Sequence, residues 1–167
     1  MAPAQPFTLR CQEVSRAMEE SGSQGILLIE DSTEDYTVAQ YMLQQVTDRP
    51  IMRCRDGESA LDYRLRRGTY AEARDTPYPA LILWDLPLPV IDGCEVLRQI
   101  KQDVRLRAIP VVVFTTSAQL HDIDTCYELG ANGYMVKPVD FERLRYILEL
   151  LMRYWFSVVT LPERRSP

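Results

Sequence analysis

Five positions in this chain carry side chains suited to a charged, oxygen-rich ligand, and they close short apolar runs. Glu30 and Asp31 follow GILLI, Asp85 follows ALILW, Thr115 follows PVVVF and Lys137 follows GYMV. Three carboxylates, one hydroxyl and one ammonium suit a divalent cation beside a phosphoryl group. Asp85 is the candidate nucleophile, because an aspartate oxygen can attack phosphorus and form an acyl phosphate. Clustered carboxylates repel one another unless a cation compensates, and magnesium does so while keeping several waters. Lys137 offers a second positive charge to a phosphoryl oxygen. Thr115 offers a hydroxyl that can bond the phosphoryl group only after it arrives, which makes it a switch element.

These residues can act together only if the elements bring them together. Strands are predicted at 25–30, about 50–54, 80–84, 110–114 and 133–136. Helices are predicted at about 33–46, at 57–67, from Gly93 onward, at 119–129 and from Asp140 to Phe156. Ser32 is the N-cap candidate of the first helix, and Gly68 and Gly130 are stop signals for the second and fourth. Asp92, with Glu95 three residues on, reads as a capping box. Five strands alternating with five helices predict an α/β doubly wound sheet. In such a sheet the C-terminal strand ends open onto one edge, where ligands bind.

The 167 residues suffice for one domain with a sizeable core. Residues 1–24 read as an N-terminal extension with a short helix over LRCQEVSRAMEE, 25–156 as the domain, and 157–167 as a tail. A net charge of -5 and a pI near 5.0 argue against a nucleic-acid partner. Arg64, Arg66 and Arg67 read as a solvated helix end. Cys11, Cys54, Cys94 and Cys126 form no C-x-x-C pair and fit reduced thiols in a cytoplasmic chain. His121 is the single histidine and lies in a polar stretch, as a surface residue would. No apolar run approaches a membrane span, and MAPAQPFTLR lacks the apolar core of a signal peptide.

The segments ILLIEDSTED, LILWDLPLPVIDGCEVL, IPVVVFTTS and GANGYMVKPVD resemble the receiver domains of two-component response regulators, from about Gly25 to Phe156. The resemblance implies a flavodoxin-like sheet with strand order 2-1-3-4-5, the order of the chemotaxis receivers. It implies that a histidine kinase phosphorylates Asp85. Asp31, Asp85 and the main-chain carbonyl of Pro87 would bind magnesium directly, and Glu30 through a water. Thr115 and Lys137 would contact the phosphoryl group, and Tyr134 falls on the aromatic switch position. Its ring would turn inward on activation; a half-buried strand tyrosine is the alternative. Glu30 is a common variant of the first acid. Trp84, by strand alternation, should point away from the Asp85 side chain into packing. Pro87 replaces a side chain that can influence phosphoryl lifetime, while its carbonyl remains.

RRGTYAEARDTPYP, VVVFTTS and FERLRYILELLMRYWFSVVTLP carry a closer similarity, to small single-domain response regulators that partner phytochrome-type kinases. That similarity implies a bacteriophytochrome as phosphodonor. The expected protein is a stand-alone phosphoacceptor, not a turnover enzyme. A phosphorylation-independent module of the same fold is the rival, and the intact five-residue set argues against it. A phosphatase of the aspartyl-nucleophile type wants a second acid where Pro87 stands. A flavodoxin-like cofactor carrier needs a small, hydroxyl-rich loop where Asp31–Asp35 stands.

The last helix carries an apolar stripe, Phe141, Leu144, Leu148, Leu151 and Trp155, that fits packing on the sheet. Tyr146, Ile147, Leu150, Met152, Tyr154 and Phe156 add apolar surface beyond it, and Val158, Val159 and Leu161 continue into the tail. Such an excess predicts a homodimer through helix five and the tail.

Overall fold

A computed structural model describes residues 24–65, 79–85, 90–104 and 106–162. The strands are β1 (Gly25–Ile29), β2 (Ile51–Cys54), β3 (Pro79–Trp84), β4 (Val111–Thr115) and β5 (Gly133–Val136). The helices are α1 (Thr33–Gln44), α2 (Gly57–Leu65), α3 (Val90–Gln102), α4 (Leu120–Glu128) and α5 (Phe141–Arg153). A wider π-type turn, Tyr154–Val158, continues α5.

The strands form one sheet in the order β2-β1-β3-β4-β5, and every pairing is parallel. Parallel strands covered on both faces need no polar alternation, which is why GILLI and VVVF are continuously apolar. Alternate side chains divide between two cores. Leu27, Ile29, Ile82, Trp84, Val111 and Val113 pack with Ala60, Leu97, Ile100 and Cys126, from α2, α3 and α4. Ile26, Leu28, Leu81, Leu83, Val112 and Phe114 pack with Ala39 and Leu43 of α1 and with Leu144, Leu148 and Leu151 of α5. A leucine fully buried in this way contributes about 1.5–3 kcal/mol relative to its exposed state. Trp84 belongs to the first core, away from the site, as alternation predicts.

The order reverses beside β1: the chain goes from β1 to β2 on one side and returns to β3 on the other. The crevice beyond the C-terminal ends of β1 and β3 is therefore the expected binding place. It is where Glu30 and Asp85 stand.

Ser32 caps α1, its side chain accepting from the Asp35 N–H at 3.2 Å. Gly130 follows the C-cap of α4 at φ 95, a conformation that favours glycine. Two boundaries differ from the sequence reading. α3 begins at Val90, so Asp92 lies inside its first turn rather than at its cap. An acid is favourable beside the free N–H groups of a first turn as well as at a cap, so the pattern fits either register. α5 leaves α-helical geometry after Arg153, where the wider turn sets Trp155 and Phe156 against the second core. The Arg49 guanidinium lies 4.0 Å from the Phe156 ring centroid and holds this turn to the α1–β2 connection. Phe141, assigned to the packing stripe by spacing, is exposed at the first turn of α5.

Cys54, Cys94 and Cys126 are buried, and His121 is exposed. Among the described residues no helix is long and apolar enough to cross a membrane. The N-terminal helix, Cys11, Arg66, Arg67, Gly68 and Pro87 lie outside the described residues, as does the side chain of Arg64.

Candidate phosphoacceptor and metal site

The site is assembled where the strand ladders run out. The Glu30 N–H donates to the Cys54 carbonyl at 2.9 Å, and the Asp85 N–H to the Ile29 carbonyl at 3.0 Å. The Lys137 N–H donates to the Thr115 carbonyl at 2.7 Å. These bonds extend the sheet by one residue past β1, β3 and β5, so each polar residue inherits its position from an apolar strand.

Lys137 is the centre of the arrangement. Its Nζ donates to Asp85 Oδ2 at 2.5 Å and to Glu30 Oε2 at 3.3 Å. It also lies 5.3 Å from the centroid of the Phe114 ring. Glu30 is only 2% exposed. Its other oxygen, Oε1, accepts from the Ser32 N–H at 3.0 Å. Burial first, and then the adjacent Asp85 carboxylate, push the Glu30 carboxyl up to about 8, against the opposing pull of Lys137 and the Ser32 N–H.

Carboxylate oxygens of Glu30, Asp35 and Asp85 lie within 4.8 Å of one another. Asp31 is not in this group. Its side chain is exposed, and Oδ1 accepts from the Ser32 N–H at 2.8 Å. Asp35 takes no part in the five-residue pattern, yet it reaches the cluster from the third position of α1, where its N–H meets the Ser32 cap. The signal for it was present: a residue three beyond an N-cap folds back toward the cap, and Ser32 adjoins the acidic pair. Three hard oxygen donors beside the Lys137 ammonium fit magnesium or manganese.

Thr115 ends β4 and is buried, with Oγ1 accepting from the Ser117 N–H at 3.4 Å. The Ser117 hydroxyl donates to Asp122 Oδ2 at 2.6 Å. Tyr134 is half-buried on β5, and its hydroxyl donates to the Ser117 carbonyl at 3.1 Å. Ser117 therefore touches both proposed switch residues, a link that spacing alone did not reveal.

A parallel five-stranded sheet with this acidic edge, its lysine and its threonine defines a class, and comparison with known proteins agrees. The family described as Response regulator receiver domain matches residues 26–149. The chain belongs to that family. Response regulator Rcp1 of Synechocystis sp. is 41% identical over 138 residues, covering 82% of this chain and 92% of Rcp1. The crystal structure of the phosphorylated cyanobacterial phytochrome response regulator RcpA is similar at a TM-score of 0.74 and 38% identity, covering 85% of this chain and 100% of that one. The Mn(2+)-bound form of Rcp1 has a TM-score of 0.71 at 40% identity, covering 84% and 99%. The carboxylate cluster offers the oxygen donors that a divalent cation takes, and that form of Rcp1 is one with such an ion bound.

Proposed function

We propose that Asp85 accepts a phosphoryl group from the phosphohistidine of a kinase, and that the chain signals through the resulting change of shape. An Asp85 oxygen attacks phosphorus, the phosphorus–nitrogen bond breaks, and the departing imidazole regains a proton. By the family pattern Asp31, Asp85 and the Pro87 carbonyl would hold magnesium, with Glu30 acting through a water, and Asp35 adds a carboxylate beside Glu30 and Asp85; the cation would neutralise crowded negative charge. Lys137 orients Asp85 now and can follow the phosphoryl oxygen afterwards. Thr115 would take up a bond to that oxygen, and Tyr134 would respond through Ser117.

The observation that carries this reading is the Lys137 ammonium held between Asp85 and Glu30 at the strand ends. Intact mass after treatment with acetyl phosphate and magnesium is expected to show one added phosphoryl group, absent in Asp85→Asn. An equal yield from that variant would refute the assignment.

The proposed donor is a bacteriophytochrome histidine kinase. Similarity to RcpA supports it, as does a TM-score of 0.77 with a response regulator in red light signaling of R. palustris, at 30% identity. Transfer from an autophosphorylated bacteriophytochrome should outpace transfer from an unrelated kinase; equal rates would refute the pairing. The proposed assembly is a homodimer through α5 and the turn that follows.

A further inference from the structure

We propose that Arg53 is a positioning residue for the cation site, gripping the backbone of the turn that carries its acids. This rests on the reading of Glu30 and its neighbours as metal ligands. Arg53 lies on β2, the edge strand, in register with Leu28 of β1. Its guanidinium reaches past the end of β1 and takes hold of the next residues in turn. Nε donates to the Glu30 carbonyl at 3.2 Å, and Nη2 to the Asp31 carbonyl at 3.1 Å. Nη1 and Nη2 approach the Thr33 hydroxyl at 3.5 and 3.4 Å. The group also lies 4.5 Å from the centroid of the Tyr36 ring.

One side chain therefore spans the turn from the end of β1 into the first turn of α1. The two carbonyls it holds belong to the two consecutive acids. With those carbonyls fixed, the Ser32 N–H between them and the helix points at both carboxylates, within 3.0 Å of Glu30 Oε1 and 2.8 Å of Asp31 Oδ1. The helix start that carries Asp35 is fixed by the same grip through Thr33. A planar fork can bridge neighbouring carbonyls while stacked on a ring; an ammonium cannot. Groups that orient ligands without touching the metal typically change its affinity by about 10- to 100-fold.

The test is magnesium affinity, read from thermal unfolding over a magnesium series and checked with manganese by the loss of its free-ion EPR signal. Arg53→Met is expected to bind both ions about tenfold more weakly than wild type, at the lower end of that range. Arg53→Lys should recover only part of the loss. Arg49→Met serves as the structural control. It removes another half-buried arginine, one that holds Gln24 and Phe156 instead. It should lower stability while leaving both affinities at the wild-type value. Unchanged affinity in Arg53→Met, or full recovery in Arg53→Lys, would overturn the proposal, the second outcome because charge alone would then suffice. Should Arg53→Met fail to fold, Arg53→Lys decides: weaker binding supports the grip, and wild-type binding overturns it. A wild-type chain that bound neither ion would overturn the metal reading, and the role of Arg53 with it.

Discussion

Glu30 is a buried acid within the carboxylate cluster. Its carboxyl is pushed from 4.5 up to about 8, mainly by burial. The folded state thus holds this proton more tightly than the unfolded chain. Between those two values the folded state carries the extra proton, so metal-free stability falls as pH rises through the window. Glu30→Gln keeps the shape and has no charge to bury. In metal-free urea unfolding it should lose this slope and, above pH 8, exceed wild type by about 1–2 kcal/mol. Magnesium should reverse the order, because the cation stabilises more strongly the chain that offers it the third carboxylate. Parallel stability curves for the two proteins would count against this picture. That Glu30, Asp85 and Lys137 meet at one sheet edge was legible in the sequence because each ends an apolar run. Side-chain direction was not. Asp31 sits next to Glu30 in the chain yet turns to the Ser32 N–H, while Asp35 enters the cluster by the geometry of a helix cap.

At the scale of elements, the strands were readable because burial on both faces leaves continuous apolar runs, and Thr115 and Lys137 landed at strand ends for the same reason. The start of α3 was not, since acids suit a first turn as well as a cap. Nor was the tie among α3, β4 and the turn before β5. The Lys101 Nζ donates to the Ile109 carbonyl at 2.9 Å and to Asn132 Oδ1 at 2.8 Å. Asn132 Oδ1 also accepts from the Val111 N–H at 3.0 Å. These partners are 8 and 31 residues away in sequence, so no local pattern announces them. Burial pulls the Lys101 ammonium from 10.5 down to about 8. The unfolded chain binds more proton between those values, so this group makes stability rise with pH across that window. Comparing wild type with Lys101→Met by urea unfolding at both ends of the window cancels other titrations. Wild type should gain roughly 1–2 kcal/mol more than the variant. An equal change in both would show that the ammonium is not strained by its burial. A second device joins β4 to β5 through Ser117. Removing the Tyr134 hydroxyl in Tyr134→Phe should raise amide exchange in the β4–α4 connection and reduce the change caused by beryllofluoride, a phosphoryl mimic. Identical exchange maps would separate Tyr134 from the switch.

At the scale of the whole molecule, the question is what covers α5. Spacing alone left six residues outside the packing stripe as candidates for an interface. The fold reduces them, because Met152 is buried and Ile147 and Phe156 pack on the second core. What remains outside is Tyr146, Leu150 and Tyr154, joined by Val158, at steps of four residues along α5 and its closing turn. Their exposures are 57%, 47%, 52% and 73%, and they form one continuous row. Charged groups border the row: Arg145 reaches Glu149 at 3.9 Å, and Arg153 reaches it at 4.0 Å. An apolar centre with a charged rim is the composition of a protein interface, and a two-fold pair buries the same row on both copies. The chain beyond Arg153 packs on the second core through Trp155 and Phe156, so cutting it there would damage the core as well as the proposed interface. Point changes are the cleaner test. By light scattering the full chain should be a dimer, and Leu150→Glu combined with Tyr154→Glu should be a monomer. The double variant should still gain stability from magnesium and still take one phosphoryl group at Asp85, since the row lies away from the strand ends. A monomeric wild type at tens of micromolar, with and without beryllofluoride, or a double variant that stays dimeric, would rule this row out as the interface.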